Sequence, residues 1–264
     1  MSAVDPRRSV ELLTPQVEQL NASIGRLTEA DWNRESSCTG WSVGDLVAHV
    51  VVNGFMVHTF AQRAVADDPT PAFGPPARAE RELIKASGPG PSAERQAREN
   101  AELVRFATGL ADSDWSRSGS HPLGPRSVSW IYNSRLVEVV FHHWDLRRSL
   151  GEDGPLDSGL AAHMLPFLLD VDYIGLFTSR IPEVTPAETF RFTSNPNGAT
   201  WRLAVSRAAS RVEEGPGEAA TIEIAAEPGW LALAVFGRAS IDAEQFHVLG
   251  PLNAPELFRA YFGG

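Results

Sequence analysis

Apolar side chains recur every three or four positions in four long segments of the first 150 residues. The first segment shows this spacing with Val10, Leu13, Val17 and Leu20. Such spacing is typical of amphipathic α-helices. The four predicted helices cover residues 8–28, 43–66, 92–110 and 128–150. Four helices of this kind, joined by long loops, predict a helical bundle.

The connections between these helices carry their own signals. Ser42 and Thr39 are both candidate caps for the second helix, because a hydroxyl oxygen can accept a hydrogen bond from the free N–H groups at a helix start. Residues 67–91 contain most of the nearby Pro and Gly. They predict a long surface loop with a short helical piece around residues 80–86.

The pattern changes after "GEDGPLD", residues 151–157. In "TFRFTSNPNGATWRLAVS", alternating side chains flank an Asn-Pro-Asn-Gly turn, which is typical of a β-hairpin. The other predicted elements are a helix at 160–176, a strand at 220–227, a helix at 228–238, a short strand or loop at 247–251 and a helix at 255–262. We therefore predict an α+β fold with two domains, a helical bundle over residues 1–155 and a smaller α/β domain over residues 156–264.

Charge and composition narrow the classes of partner. A formal net charge of -10 and a pI near 5.2 argue against a broad grip on nucleic acid, which needs clustered Lys and Arg. The single cysteine, Cys38, allows neither an internal disulfide nor a thiolate metal cluster. The charged segment "MSAVDPRRSVELL" is unlike a secretory signal, and no window approaches the roughly 18 apolar residues of a membrane span. We expect a cytoplasmic protein, monomeric or homodimeric, with small-molecule partners and no nucleic acid or membrane partner.

The segment "EVVFHHWDLRR" places chemistry on the fourth helix. Glu138 and His142 are four residues apart, so they project from the same helix face. Asp145 lies on that face as well. His49 on the second helix would complete a set of two histidines and one carboxylate that leaves metal positions open. The alternatives are a solvent-exposed Glu-His pair and a hydrogen-bonded core histidine.

Two segments resemble a known family. "CTGWSVGDLVAHV" and "RLVEVVFHHWDLRRSLG" are similar to the two signature segments of the mycothiol-dependent maleylpyruvate isomerase family, within the wider DinB-like superfamily. The resemblance implies a DinB-like four-helix bundle followed by a smaller α/β domain similar to sterol-carrier folds. It also implies that His49, Glu138 and His142 bind a divalent metal, with zinc as the expected ion.

Three further residues are assigned through this resemblance or through spacing. Asp145 matches an aspartate of the second segment and is expected to hydrogen-bond a ligand imidazole, or else to be an exposed acid paired with Arg147 or Arg148. Arg238, in "FGRAS", is the candidate catalytic and cofactor-binding arginine of the C-terminal domain, with an ordinary surface arginine as the alternative. Asn53, four residues after His49, is a candidate for lining the pocket and binding the cofactor.

The resemblance also implies the chemistry. The thiol of mycothiol, a sugar-linked cysteine, would be held as a thiolate. This thiolate either adds to the double bond of a maleyl compound and leaves after rotation, which is cis-trans isomerisation, or it stays attached to an electrophile, which is S-transfer. Arg238 would stabilise the enolate of the first reaction. The sequence does not choose between the two reactions.

Other interpretations remain open at this point. The same three ligands with a bound water would make a hydrolase, and a chain without metal would be a binding scaffold. The loop at 67–91 either covers the site, where Phe73, Pro75 and Pro76 would suit a larger or less charged substrate than maleylpyruvate, or simply connects two helices. For Cys38 we expect a packing role.

Overall fold

Four long helices form the first of two compact units, which spans Asp5–Asp153, and the second unit begins at Gly154. The computed structural model describes residues 4–70, 75–170, 173–174, 188–196, 198–206, 210–215 and 217–262. The helices of the first unit are α1 (Pro6–Ile24), α2 (Glu29–Asn33), α3 (Val43–Ala66), α4 (Pro75–Ser87), α5 (Pro89–Thr108) and α6 (Val128–Ser149). Before α6, β1 (Ser118–Gly119) and β2 (Arg126–Ser127) form an antiparallel pair.

The predicted four-helix bundle is confirmed by the packing of the long helices. α1 packs against α5 and α6, and α3 packs against the same two helices. Between the two predicted caps of α3, Ser42 is the one used, since its Oγ accepts from the backbone N–H of Asp45 while the Asp45 carboxylate accepts from the Ser42 N–H. Ser127 caps α6 in a similar position.

The predicted loop at residues 67–91 is wrong in extent. α4 begins at Pro75 and α5 begins at Pro89, so only Gly88 separates them. Proline is well suited to the first turn of a helix, because its missing N–H would have no partner there. These prolines start helices rather than mark a loop. Phe73 lies outside the described residues.

Helices α3 and α6 are the most enclosed elements of the bundle. Fifteen residues of α6 are buried, and these include the charged or polar Arg135, His142 and Asp145. Contrary to the expectation from the sequence, α3 is long and apolar enough to cross a bilayer by length and composition, but 61% of its apolar window is buried inside the protein. That burial is typical of a core helix.

The second unit contains a five-stranded sheet made of β3 (Glu188–Ser194), β4 (Ala199–Val205), β5 (Ser210–Glu214), β6 (Ile222–Ala226) and β7 (His247–Leu249). The strand order is β5-β4-β3-β6-β7. The predicted hairpin is confirmed as β3 and β4, which pair Phe190 with Leu203 and Phe192 with Trp201, whereas β3 and β6 are parallel. The helices of this unit are α7 (Ser158–Leu168), α8 (Pro228–Val235) and α9 (Ala254–Phe262).

The predicted helices of the second unit differ in length from the observed ones. α7 ends at Leu168, and part of the prediction up to residue 176 lies outside the described residues. α8 ends at Val235 rather than at residue 238, because the chain turns at Gly237 with a φ of 75°. Phe190 and Phe192 of β3 pack their rings against Phe258 and Phe262 of α9 and so form the core on that face.

Helix α3 approaches α2 closely at Gly44. A Cβ atom at Gly44 would lie 2.8 Å from Nε1 of Trp32, and this buried indole is held by a hydrogen bond to the backbone oxygen of Lys85. We expect Gly44→Ala to lower the free energy of unfolding by about 1–3 kcal/mol through overpacking. Chemical denaturation measures this change. Gly90→Ala is the matched control, because a Cβ atom at Gly90 would have no heavy atom within 4 Å, and equal effects at both sites would contradict the packing argument.

The loop between β1 and β2 inserts His121 between α3 and α6. Its ring contacts Phe60 and Trp130, with centroids 5.0 and 5.2 Å away, and its Nδ1 accepts from the Leu123 N–H. Burial, reinforced by the charge of Arg126, lowers the pKa of His121 from 6.5 to about 4. The folded protein therefore holds this ring neutral.

This depressed pKa predicts a pH dependence of stability. Between about pH 6.5 and pH 4 the unfolded chain binds a proton at residue 121 that the folded chain does not, so stability is present above this window and is lost as the pH falls through it. We expect His121→Phe, which keeps an aromatic ring, to lose less unfolding free energy than the wild type over this window. Urea denaturation at several pH values measures the difference, and parallel curves would refute it.

Candidate metal centre

The ionisable residues that α6 contributes to the centre all lie on one face of this helix. Arg135, Glu138, His142 and Asp145 follow at spacings of three, four and three, which keeps them on one side of the helix. α3, which packs against α6, contributes His49. The site therefore lies between two rigid helices of the first unit.

The structure brings His49, Glu138 and His142 together. Oε2 of Glu138 lies 3.1 Å from Nε2 of His49 and 3.3 Å from Nε2 of His142. One ligand atom from each residue lies within 4.8 Å of the other two, which suits a single ion. Their side chains are 29%, 24% and 10% exposed for His49, Glu138 and His142, so solvent and small ligands can reach the set. Two imidazoles and one carboxylate fit a zinc ion that keeps one position open.

Asp145 is buried rather than an exposed helix acid. Its Oδ2 lies 3.0 Å from Nδ1 of His142, and its exposed fraction is 0%. Arg147 and Arg148 instead pair with Glu152 and Asp153. A carboxylate at Nδ1 holds a proton on that nitrogen and leaves Nε2 as the metal-binding atom.

Cys38 and Ser37 also contact Asp145, which the sequence did not predict. Sγ of Cys38 lies 3.3 Å from Oδ2 of Asp145, and Oγ of Ser37 donates to the backbone oxygen of Asp145 at 2.9 Å. Cys38, His142 and Asp145 form a second group with ligand atoms within 4.8 Å of one another. One feature of the sequence could have indicated that Cys38 lies near the centre: it belongs to the same segment as His49, eleven residues before it.

Trp41 covers the two imidazoles. The turn that presents it is closed by hydrogen bonds from Trp41 N to Cys38 O and from Ser36 N to Trp41 O. The ring centroid of Trp41 lies 5.0 Å from that of His49 and 6.4 Å from that of His142. The guanidinium of Arg81, on α4, lies 4.8 Å from the Trp41 ring centroid.

The ionisation of the three candidate ligands follows from burial and hydrogen bonding. Burial opposes the charge of Glu138, but hydrogen bonds with His142 and His49 outweigh it and hold the pKa of Glu138 well below its ordinary value. Burial also disfavours charged His142, yet hydrogen bonds with Asp145, Cys38 and Glu138 raise its pKa well above the usual range. Burial lowers the pKa of His49. Glu138 and His49 thus have metal-binding forms at neutral pH, and an ion at His142 would displace a proton.

Arg135 is a buried cation beside this set, and the sequence did not predict its role there either. Its exposed fraction is 0%, and its Nη1 donates to the backbone oxygen of Val50 at 2.9 Å and to Oδ1 of Asn53 at 2.8 Å. Burial lowers the pKa of Arg135 to about 10, while Glu138 and Glu99 oppose the shift. The guanidinium stays charged at neutral pH. Its position three residues before Glu138 was the signal that could have found it.

The structure places the two remaining candidates differently. Asn53 lies on α3, one turn after His49, and the two residues border one cavity. Arg238 follows α8 in the second unit, where its guanidinium lies 5.3 Å from the ring centroid of Phe236.

Comparison with known families gives one match. The family model of the mycothiol maleylpyruvate isomerase N-terminal domain matches residues 13–147, just over half of the 264 residues. The matched range contains all three candidate ligands as well as Cys38 and Asp145. No curated protein matches the sequence.

Solved structures with similar folds include the mycothiol-dependent maleylpyruvate isomerase, which is 17% identical to this chain. The TM-score is 0.68, and the match covers 95% of this chain and 96% of the isomerase chain. A mutant of that isomerase has a TM-score of 0.67 at the same identity and coverage. A third structure is YfiT from Bacillus subtilis, which is described as a probable metal-dependent hydrolase with an unusual four-helix bundle topology. It is 15% identical to this chain with a TM-score of 0.49, and the match covers 58% of this chain and 91% of YfiT. The isomerase structures confirm the α+β fold class.

The contact between Asp145 and His142 can be tested through metal affinity. We expect Asp145→Asn to weaken zinc binding by about 10- to 100-fold, because a neutral amide orients and polarises the imidazole less well than a carboxylate. Competition with a chromophoric chelator measures the affinity. Asp153→Asn removes an exposed carboxylate that pairs with Arg148 and is expected to bind zinc like the wild type. Wild-type affinity in Asp145→Asn would show that Asp145 does not support the site.

Proposed function

The chain belongs to the family of the mycothiol maleylpyruvate isomerase N-terminal domain, and on this premise we propose that it is a mycothiol-dependent metalloenzyme. His49, Glu138 and His142 would hold a divalent ion, with zinc as the expected metal. The thiol of mycothiol would be activated there and would attack a small electrophile. The reaction is either S-transfer or cis-trans isomerisation of a maleyl-type substrate.

One observation carries the proposal. Two imidazole nitrogens and a carboxylate oxygen from α3 and α6 converge within 4.8 Å, at a place that remains partly exposed. Nitrogen and oxygen donors in this number are the usual ligands of a catalytic zinc ion, which leaves one position for a substrate group. A structural zinc site would instead be closed by a fourth side chain.

The chain's own residues have separate roles in this proposal. When bound, a divalent metal lowers the pKa of a coordinated thiol, so that a thiolate exists at neutral pH. Asp145 holds the proton of His142 at Nδ1 and so keeps Nε2 directed at Glu138. Trp41 packs against both imidazoles and limits their rotation. Together these contacts fix the ligand atoms before any ligand arrives.

The choice between S-transfer and isomerisation depends on how the electrophile is handled after thiolate attack. Isomerisation of a maleyl compound needs a cation near the oxygen on which negative charge develops. Within this proposal Arg238 is the catalytic and cofactor-binding residue for that role, and Asn53 is a binding residue. S-transfer needs no such cation.

The proposal also includes the cellular location, the oligomeric state and the partners of the protein. We place the protein in the cytoplasm as a monomer or homodimer, with a low-molecular-weight thiol and a small electrophile as its partners. The acidic sequence, with a net charge of -10, favours this over nucleic-acid binding.

Metal content is the first test. We expect near-stoichiometric zinc in protein purified without added metal, and its loss in His49→Ala and Glu138→Ala, because each substitution removes one of three ligands. Elemental analysis measures the content. His143→Ala is the matched control, since this neighbouring histidine lies 3.0 Å from Oγ of Ser23 and outside the ligand set. Zinc that persists in all variants would overturn the assignment of ligands.

Thiol consumption separates the possible reactions. A transferase consumes mycothiol in proportion to product, an isomerase converts maleylpyruvate with no net loss of thiol, and a hydrolase turns over with water alone. Following free thiol and substrate together, in wild type and His49→Ala, distinguishes the three. Turnover that is independent of thiol would refute the proposed function.

A further inference from the structure

A cavity of about 460 Å³ adjoins the candidate metal centre inside the first unit. α3 lines it with His49, Val52, Asn53 and Met56, and α4 lines it with Arg78 and Arg81. Because His49 belongs both to the ligand set and to the cavity wall, a molecule in this cavity reaches the metal centre. The polar groups along the wall therefore bear on what the site accepts.

Asn53 can present only a hydrogen-bond donor to the cavity. Its Oδ1 accepts from Nη1 of Arg135 at 2.8 Å. A guanidinium has donors and no acceptor, so the oxygen of the Asn53 amide must be the atom that faces Arg135. Among the described residues, none accepts a hydrogen bond from Nδ2. The free N–H groups of Asn53 are thus available at the wall of the cavity.

Arg81 is a half-buried cation that borders this cavity. Its guanidinium packs on Trp41, which itself packs on His49. It forms no ion pair with any residue in the part of the chain that the structure describes. The aromatic contact fixes the direction of the guanidinium and leaves its N–H groups free to bind a ligand.

Two carboxylates also border this cavity and do not cancel its positive charge. Both oxygens of Asp45 lie 2.8 Å from Nζ of Lys85, and one of them accepts a hydrogen bond from Ser42 Oγ. Glu82 is exposed to solvent. Since Asp45 is paired, Arg78 and Arg81 outnumber the remaining carboxylate.

We propose that Asn53 and Arg81 form a subsite for an anionic group, a carboxylate of the electrophile, next to the metal centre. The inference rests on the proposed function for the identity of the ligand, but the subsite is built from residues of the first unit alone. It adds a cation to the one expected at Arg238. It also reverses the expectation that this region of the chain suits a less charged substrate.

The subsite can be tested by binding, without thiol and without turnover. Succinate and its neutral diamide, succinamide, have similar size and differ in charge. We expect the full chain, in metal-free and in zinc-loaded form, to bind succinate at least about tenfold more tightly than succinamide, as measured by isothermal titration calorimetry. Equal binding of the two compounds, or no binding of either, would overturn the subsite.

Two variants locate the binding. Arg81→Met removes the cation, and we expect succinate affinity to fall roughly tenfold. Asn53→Asp is isosteric and gains an ion pair with Arg135, so it should fold as well as the wild type. It replaces the N–H donors of Asn53 with a carboxylate oxygen, which only accepts hydrogen bonds, and should therefore lose succinate binding. Arg98→Met removes an exposed arginine of α5 outside the cavity and is the matched control. A thermal melt checks the folding of each variant.

The outcomes separate the subsite from the proposed function. Succinate binding that is unchanged in Arg81→Met and Asn53→Asp would refute the subsite. If that unchanged binding also requires zinc, it would place the carboxylate on the ion. Selective binding of succinate in a protein that lacks thiol-dependent turnover would keep the subsite and refute only the proposed enzyme.

Discussion

The charged face of α6 is the constraint on which the rest of the first unit depends. Arg135, His142 and Asp145 are buried, and Glu138 is mostly buried. A buried polar group that is left without a hydrogen-bond partner costs about 1–3 kcal/mol, and a charged group costs more, so each of these groups needs a partner in the fold. α3 supplies His49 for Glu138 and the Val50 oxygen for Arg135, and the segment before α3 supplies Cys38 for Asp145. The positions of α3 and of this segment are therefore set by charge as well as by apolar packing.

Much of the fold was accessible from periodicity, because burial of one helix face imposes spacings of three and four wherever a helix packs in a bundle. α1, α3, α5 and α6 were all found in this way, and the alternation around Phe190 and Phe192 found the hairpin. The failure at α4 has a physical cause. Proline breaks a helix interior but is favourable in the first turn, so the composition of a segment does not show whether its prolines lie before a helix or within its start.

In the candidate site, too, some features follow from helical spacing and others do not. Spacing shows which residues share a face, and it placed Glu138, His142 and Asp145 together on α6. The same spacing includes Arg135, but its role is visible only from its hydrogen bonds to Val50 and Asn53 of α3. Spacing does not show which distant segment approaches that face. The contact between Cys38 and Asp145 joins residues 107 positions apart, and the packing of Arg81 on Trp41 depends on the loop that precedes α3. Such contacts follow from tertiary packing alone.

With a divalent ion bound, the charges at the centre would favour an anionic ligand over a neutral one. With its carboxylates ionised, the centre contains one cation, Arg135, against Glu138 and Asp145, and a proton on His142 balances the excess negative charge. A divalent ion that displaced this proton would leave the centre with one net positive charge in a partly buried place. Such a charge is stabilised far better by an anion than by neutral water, because solvent screening is weak there. A thiolate would neutralise it, whereas a neutral ligand would leave it uncompensated. The same electrostatic reasoning accounts for a cation such as Arg81 at the adjoining cavity. If a thiolate neutralised the centre in this way, a second anionic group would need a separate positive partner.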